Sequence, residues 1–333
     1  MFNIANAYEI TSNSSTEYTL QEWYIALIYI NLPVDQSSNF GNSMKANVHI
    51  TKNEQKPTLA EYVMSQYTGT QGENSLYYHN SSLTNGAGDN SYRYAGASNS
   101  VNNYICLGSD EAICPDANLF RIIGVFGAQA KVIRAKSVGN KQWHSSSTPN
   151  TWSSSSLNTY LNGEYLTSLG TLADKIAITT WKVGGGTYEN IGTSVPKTAY
   201  QNEVGSSASS TTYGAKIGLM YVSDYYYSAS PSAWTLVGYN SSDATKDYRA
   251  AKTINWLSLG SYEWTISRSS DLTNHSFRVH SSGFVRYDHV TSSFEVRPSF
   301  NLESSVKYVS GSGSMSDPVS CLLYTSPSPR DCS

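Results

Sequence analysis

"SFRVHSSGFVRYDHVTSSFEVRPSFNL" (residues 276–302) holds the clearest pattern in the chain. Phe277 and Val279 alternate with Arg278 and His280, Ser282-Gly283 supplies turn chemistry, and Phe284–Tyr287 returns. Period-two alternation on both sides of a glycine turn predicts an antiparallel hairpin. Upstream, "SLYYHN", "SYRYAG", "NNYICLG", "LFRIIGVFG", "KVIRAKSV" and "KIGLMYVS" read as further short strands, parted by Ser, Asn and Gly. Two segments break the pattern with helical spacing. In "PTLAEYVMSQY" (57–67), Thr58 and Glu61 form a capping box, and Leu59, Tyr62, Val63 and Tyr67 share a face. In "TWSSSSLNTYLNGEYLTSLG" (151–170), a serine caps, Leu157, Tyr160, Leu161, Tyr165 and Leu169 make the stripe, and Gly170 ends the helix. About two helices among many antiparallel strands predict an α+β fold.

The chain has 333 residues, enough for one large domain and a smaller piece. Residues 1–53 read as three strands, too few to close a sandwich alone, and so as the truncated end of a β-sandwich module. Residues 54–319 form the main domain. The last stretch, 320–333, is set apart: "CLLYTSPSPRD" (Cys321–Asp331) back-translates without a break into a transposon-end adapter used in sequencing libraries. It is therefore expected to be non-native.

Only 14% of residues are charged, so Ser, Thr, Asn and Gly must make the polar surface, and there are 26 Tyr against 8 Phe. That mixture suits a β-rich extracellular protein, because Tyr packs on pleated sheet and keeps a polar tip. A net charge of −3 gives no excess of cations for phosphates, which excludes a nucleic-acid partner of the ordinary kind. No apolar run approaches the roughly 18 residues of a membrane span, so no membrane contact is expected from this fragment. With the tail set aside, Cys106 and Cys114 remain, flanking a short turn. They read as a disulfide of an oxidising compartment, with two free buried thiols as the alternative.

Catalytic motifs are missing: there is no phosphate-binding glycine loop, HExxH, EF-hand loop, CxxC or GxSxG elbow. No metal site and no cofactor are expected. His275, His280 and His289 fall near one hairpin with Asp271 and Asp288, a set that reads as solvated hairpin residues. Asp224, Glu263 and Glu295 are carboxylates a glycosidase could use, but nothing in the spacing ties two together. Arg268 and Arg297 sit inside apolar motifs, where an arginine either clamps an anionic ligand or fixes the sheet by pairing with a buried acid. The stretch "SDYYYSASPSAWTLVGYNSSDATKDY" (223–248) reads as loop and sets out Tyr225, Tyr226, Tyr227, Trp234 and Tyr239. Exposed Tyr and Trp are the composition of binding loops, although strand periodicity would turn alternate members inward.

Four segments recur in a familiar order: "TWSSSSLNTYLNGEYL", "KIGLMYVSDYY", "EWTISRSS" and "SGFVRYDHVTSSFEVRPSFNL". Together they resemble a family of Gram-positive bacterial surface domains of unknown function with a C-type-lectin-like fold. That fold is akin to the formylglycine-generating-enzyme and retroelement-diversified scaffolds. Val296-Arg297-Pro298 matches the family pattern, whereas Trp264-Thr265-Ile266-Ser267-Arg268 is a looser version of its first motif. The reactive cysteine pair of the enzymes and the calcium loops of the lectins have no counterpart here. "YTLQEWYIALIYINLPVDQSSNFGNSMKANVHIT" (18–51) is similar to the last strands of camelysin and TasA-type sandwiches.

The expectation is therefore a C-type-lectin-like α+β domain that recognises a glycan or protein ligand without catalysis, outside the cell or on its surface. The binding face would be loops 223–248 and hairpin 262–290, with Tyr225, Tyr226, Tyr227, Trp234, Tyr239, Trp264, Arg268, Arg286 and Tyr287 contributing. A self-associating pilus, matrix or surface-layer subunit is the alternative, and a hydrolase the third reading.

Overall fold

The computed structural model describes residues 56–322 apart from residues 110, 207, 209 and 210. By contacts the chain divides into two compact units, Met1–Asn53 and Glu54–Ser333. The sandwich reading of residues 1–53 lies outside the described residues, as does the tail reading of residues 320–333 from residue 323 onward, while residues 320–322 of that tail are described as the end of a strand of the main sheet.

The larger unit is α+β. Its main sheet is built on the longest strand, β4 (Leu119–Phe126), in which seven of eight residues are buried. "LFRIIGVF" lacks alternation because both faces of the strand are covered. β4 is long enough to carry two partners on one edge. β3 (Tyr104–Cys106) pairs with its first half and β2 (Tyr92–Tyr94) with its second, while β5 (Gln129–Arg134) takes the other edge. Gly124 is needed where β2 crosses, since a Cβ there would lie 2.2 Å from the Tyr92 carbonyl oxygen. β1 (Leu76–Tyr78) extends β2, and β13 (Ser299–Asn301) extends β5. β15 (Val319–Leu322) joins β3 in parallel and β14 (Lys307–Ser310) antiparallel.

The expected hairpin forms β10 (His275–Val279) and β11 (Val285–His289), with Phe277 opposite Tyr287 and Gly283 in the turn at φ +99°. It lies in a second sheet ordered β11-β10-β9-β12-β6, in which β9 is Glu263–Arg268, β12 Ser293–Glu295 and β6 Asn140–Gln142. β7 (Thr179–Val183) and β8 (Thr211–Ala215) make a separate ribbon.

Helix α1 (Leu59–Ser65) carries the expected capping box: the Thr58 hydroxyl accepts from the Glu61 amide at 3.1 Å and the Glu61 carboxylate accepts from the Thr58 amide at 2.7 Å. The second helix is segmented. Ser155 caps α2 (Ser156–Tyr160), one wide π turn spans Leu161–Tyr165, and α3 (Leu166–Ser168) completes it before Gly170 at φ +54°. The count of about two helices is corrected by three more short ones, α4 (Tyr188–Ile191), α5 (Pro196–Glu203) and α6 (Val222–Tyr227). All six residues of α6 are buried. A helix covered on every side shows no amphipathic period, so "VSDYYY" carries no helical signal. "KIGLMYVS", expected as a strand, is an extended connector that touches the sheet through one bridge, Gly218 to Ser299, before α6 begins. Cys106 and Cys114 form a disulfide with Cα atoms 5.8 Å apart.

Candidate functional site

Strand register builds a charged row across the main sheet. Arg93 of β2 stands opposite Gly124 of β4, Gly124 opposite Lys131 of β5, and Lys131 opposite Asn301 of β13. Residues directly opposite in antiparallel pairs share a face. Arg93, Lys131 and Asn301 therefore lie on one face, and Gly124 adds no side chain between the cations. A cleft of about 220 Å³ opens here, closed by Phe126, by Thr179–Lys182 of β7, by Tyr200 of α5 and by the start of α6.

Each cation has its own acid. Lys131 Nζ lies 2.5 Å from Asp224 Oδ2, with both side chains under one-tenth exposed. Arg93 Nη2 lies 2.5 Å from Asp89 Oδ2, and its Nε donates to Ser91 Oγ at 2.7 Å. Aromatic faces surround the charges: Lys131 Nζ is 4.5 Å from the Tyr221 ring centroid and 5.4 Å from that of Trp181. The Arg93 guanidinium lies 4.7 Å from Phe126 and 5.2 Å from Tyr200. Burial lowers the Lys131 ammonium from its ordinary range, and Asp224 opposes that shift. Burial would raise Asp89, but Arg93 and the Ser91 hydroxyl and amide outweigh it and hold the carboxyl at about 2.

Asp224 is placed by local geometry. Its Oδ2 accepts the Tyr221 amide at 2.8 Å as α6 begins. Glu203, at the end of α5, accepts the Val222 and Ser223 amides at 3.0 and 2.8 Å and the Ser267 hydroxyl. Glu203 is thus a positioning residue for α6. Burial pushes its carboxyl up to about 7 against those hydrogen bonds.

A pH dependence follows. Glu203 holds a proton more tightly folded than unfolded, so its contribution is greatest below the ordinary value of 4.5 and is lost as pH rises toward about 7. Asp89 acts oppositely, losing its contribution as pH falls toward about 2. Buried His79, held well below its ordinary range, acts the other way across this window and adds stability as pH rises. The Glu203 effect is therefore read as a difference: in urea denaturation between about pH 5 and about pH 8 the wild type should lose up to about 3 kcal/mol relative to Glu203→Gln.

The stretch 223–248, expected as an exposed aromatic face, is corrected. Tyr225, Tyr226, Tyr227, Trp234 and Trp264 are each at most 1% exposed. Their polar tips bind main-chain carbonyls, of Gly283, Ile191, Asn85, Ala229 and Lys141 in that order. They fasten α6 and its surroundings. Arg268 is half-buried, with Nη1 3.4 Å from both Asn150 Oδ1 and the Ser269 carbonyl oxygen. Arg286 is exposed, its guanidinium 5.4 Å from the half-buried Tyr239 ring and 5.8 Å from that of Tyr287. Tyr239, Arg286 and Tyr287 thus meet at the half-exposed surface, Tyr225 meets Tyr226 and Tyr227 meets Trp234 in the interior, and none of the nine lines the cleft.

His275 and His289 face each other across the hairpin with Asn274 hydrogen-bonded to both. Among the described residues no group of three or more His, Cys, Asp or Glu could hold a metal ion. Arg297 takes the structural role, bound bidentately to the buried Glu263.

Sequence reasoning missed Asp89, Arg93, Lys131, Tyr200 and Asn301, and weighed Asp224 only as an isolated carboxylate. One signal was there. "SYRYAG" holds one cation and "QAKVIR" two amid strand residues, Arg93, Lys131 and Arg134, and a cation inside a covered strand needs a partner.

A family model described as a domain of unknown function (DUF6273) matches residues 128–304. The matched stretch includes Lys131, Tyr200, Asp224 and Asn301, while Asp89 and Arg93 precede it. No curated protein and no solved structure matches the chain.

Proposed function

The chain belongs to the family of domains of unknown function DUF6273, and from that premise we propose that it is a bacterial surface protein that recognises a glycan or protein ligand without catalysis. The reading places it outside the cell, on a C-type-lectin-like scaffold, with the ligand seated in the charged cleft rather than on the tyrosine segment. The Cys106–Cys114 disulfide supports an oxidising compartment. Among the described residues no helix is long and apolar enough to cross a membrane.

The carrying observation is the paired state of the cleft. Lys131 is matched to Asp224 and Arg93 to Asp89 within an aromatic-walled hollow. Such pairs orient a ligand through charge-assisted hydrogen bonds without changing their own protonation. A glycosidase needs one carboxyl poised to give a proton and a second to act as base or nucleophile. Asp89 and Asp224 do line one cleft, which is what favours the hydrolase reading, but each is already committed to a cation.

The test puts the full chain on an array of mucins, glycans and surface proteins, with and without chelator. Lys131→Met/Asp224→Asn removes both charges and keeps an acceptor for the Tyr221 amide, so the fold should survive. The expected result is chelator-insensitive binding by the wild type that drops about tenfold or more in this variant. Binding that the variant leaves intact would overturn the cleft as the seat. Concentration-dependent assembly with no array binding would replace recognition with the structural-subunit reading.

A further inference from the structure

We propose that the cleft seats an uncharged polyhydroxylated ligand, a single neutral pyranose unit at the end of a glycan. The inference rests on the recognition reading and specifies its ligand class. It comes from which hydrogen-bonding atoms in the cleft are still unmatched.

On the donor side, the Lys131 ammonium has three N–H groups, and among the described residues one of them has a hydrogen-bond partner, Asp224 Oδ2, while the Tyr221 and Trp181 rings stand beside the ammonium without accepting a conventional hydrogen bond. Arg93 uses Nε for Ser91 and Nη2 for Asp89, leaving Nη1 with no partner among the described residues. On the acceptor side, Asp224 Oδ2 takes both the Lys131 ammonium and the Tyr221 amide, and Oδ1 takes nothing among the described residues. Asn301 gives its Nδ2 to Thr179 Oγ1 at 3.0 Å and keeps a buried Oδ1 without a partner. Unmatched donors and acceptors thus alternate along one ion pair and its cross-strand neighbour.

A hydroxyl group is the ligand function that donates and accepts at once. A sugar hydroxyl can receive from Lys131 or Arg93 while giving its own proton to Asp224 Oδ1 or Asn301 Oδ1. A carboxylate would satisfy the donors, leave both acceptors unmatched and add a third negative charge beside Asp89 and Asp224. An ammonium group would do the reverse against Arg93 and Lys131. Lys182, the third cation of the lining, is turned to the carbonyls of Val204 and Gly205 and does not tip this balance. The walls suit the other half of a sugar: the aromatic side chains of Phe126, Trp181 and Tyr221 line the cleft and give its C–H surface an apolar neighbour. The size fits one ring, because about 220 Å³ lies below the roughly 300–1,000 Å³ of sites for drug-sized ligands.

The experiment titrates the full chain, by saturation-transfer NMR and calorimetry, with methyl glucoside, galactoside and mannoside and with N-acetylglucosamine. Glucuronate and glycine are the charged comparators. At least one neutral sugar should bind, with little change between low and high salt. Asp224→Asn and Asn301→Ala should each weaken it about tenfold. Asn301 is only half-buried, so its variant should keep the wild-type melting temperature and separates ligand contact from misfolding. Glucuronate or glycine binding in preference, with the same sensitivity to Asp224→Asn, would overturn the neutral-sugar class and leave recognition in the cleft standing. So would array binding that depends on the cleft when no neutral sugar binds. Array binding indifferent to every cleft substitution would overturn the recognition reading itself.

Discussion

Arg297→Met is expected to destabilise the folded protein by about 3–5 kcal/mol, the loss typical of breaking a buried ion pair from one side. Arg297 Nε and Nη2 donate to the two oxygens of Glu263 at 2.7 and 2.8 Å, and Nη2 also reaches the Leu257 carbonyl at 2.6 Å. The two side chains are 2% and 1% exposed. Methionine fills much of the same volume, so little of the effect is a cavity. Most of it is the Glu263 carboxylate left alone in the core. Burial already raises that carboxyl above the ordinary glutamate range with Arg297 holding it down. Without the arginine it rises further and takes up a proton in the folded state. The penalty should therefore be smallest at acid pH, below the unfolded glutamate value, and grow as pH rises. Urea midpoints for the single variant at acid and alkaline pH check this. Glu263→Leu/Arg297→Met supplies the control, since replacing both partners by apolar side chains is often neutral or stabilising. A single variant as stable as the wild type at alkaline pH would reject the pair as a stability determinant.

Features carried by neighbouring residues were legible. The hairpin at 275–289, the capping box of Thr58 and Glu61, the serine cap before Asn158 and the disulfide loop each rest on fewer than about twenty consecutive residues. Val296-Arg297-Pro298 was also readable, because an arginine within an apolar motif needs a buried acid or a ligand, and Glu263 is that acid. The cleft was not legible for the opposite reason. Arg93, Lys131, Asp224 and Asn301 are spread over more than half of the chain, and only the register of four strands and the placing of α6 bring them together. The tyrosine segment misled because composition says how much aromatic surface a segment has, not which way it faces. Buried Tyr and Trp are tolerated when the hydroxyl or indole N–H finds a partner. Main-chain carbonyls do that for Tyr225, Tyr226, Tyr227 and Trp234.

Trp234→Ala should accordingly act on stability before it acts on binding, by about 3–5 kcal/mol, as large-to-small aromatic substitutions in cores do. Trp234 is 1% exposed and packs in a small cluster with Ala87, Ala95 and Tyr227, against Tyr77, Leu83 and Tyr200. Its ring centroid lies 5.4 Å from those of Tyr77 and Tyr227 and 5.1 Å from that of His79. Burial holds His79 well below its ordinary range, and its Nδ1 accepts the Ala87 amide at 3.1 Å. Removing the indole opens this cluster and strips one side from a neutral, buried imidazole. The disturbance then reaches the cleft through Tyr227 and Tyr200, whose rings flank Arg93 at 5.1 and 5.2 Å. Loss of ligand binding in Trp234→Ala would thus report a loosened wall, and its melting temperature should fall with it. Trp234→Phe keeps most of the volume, gives up only the hydrogen bond to Ala229, and should retain most of both stability and binding. Arg286→Ala, on the exposed hairpin surface, should move stability by no more than about 0.5 kcal/mol. An alanine variant at position 234 with unchanged melting temperature and abolished binding would reverse the argument, and place the indole in direct contact with the ligand.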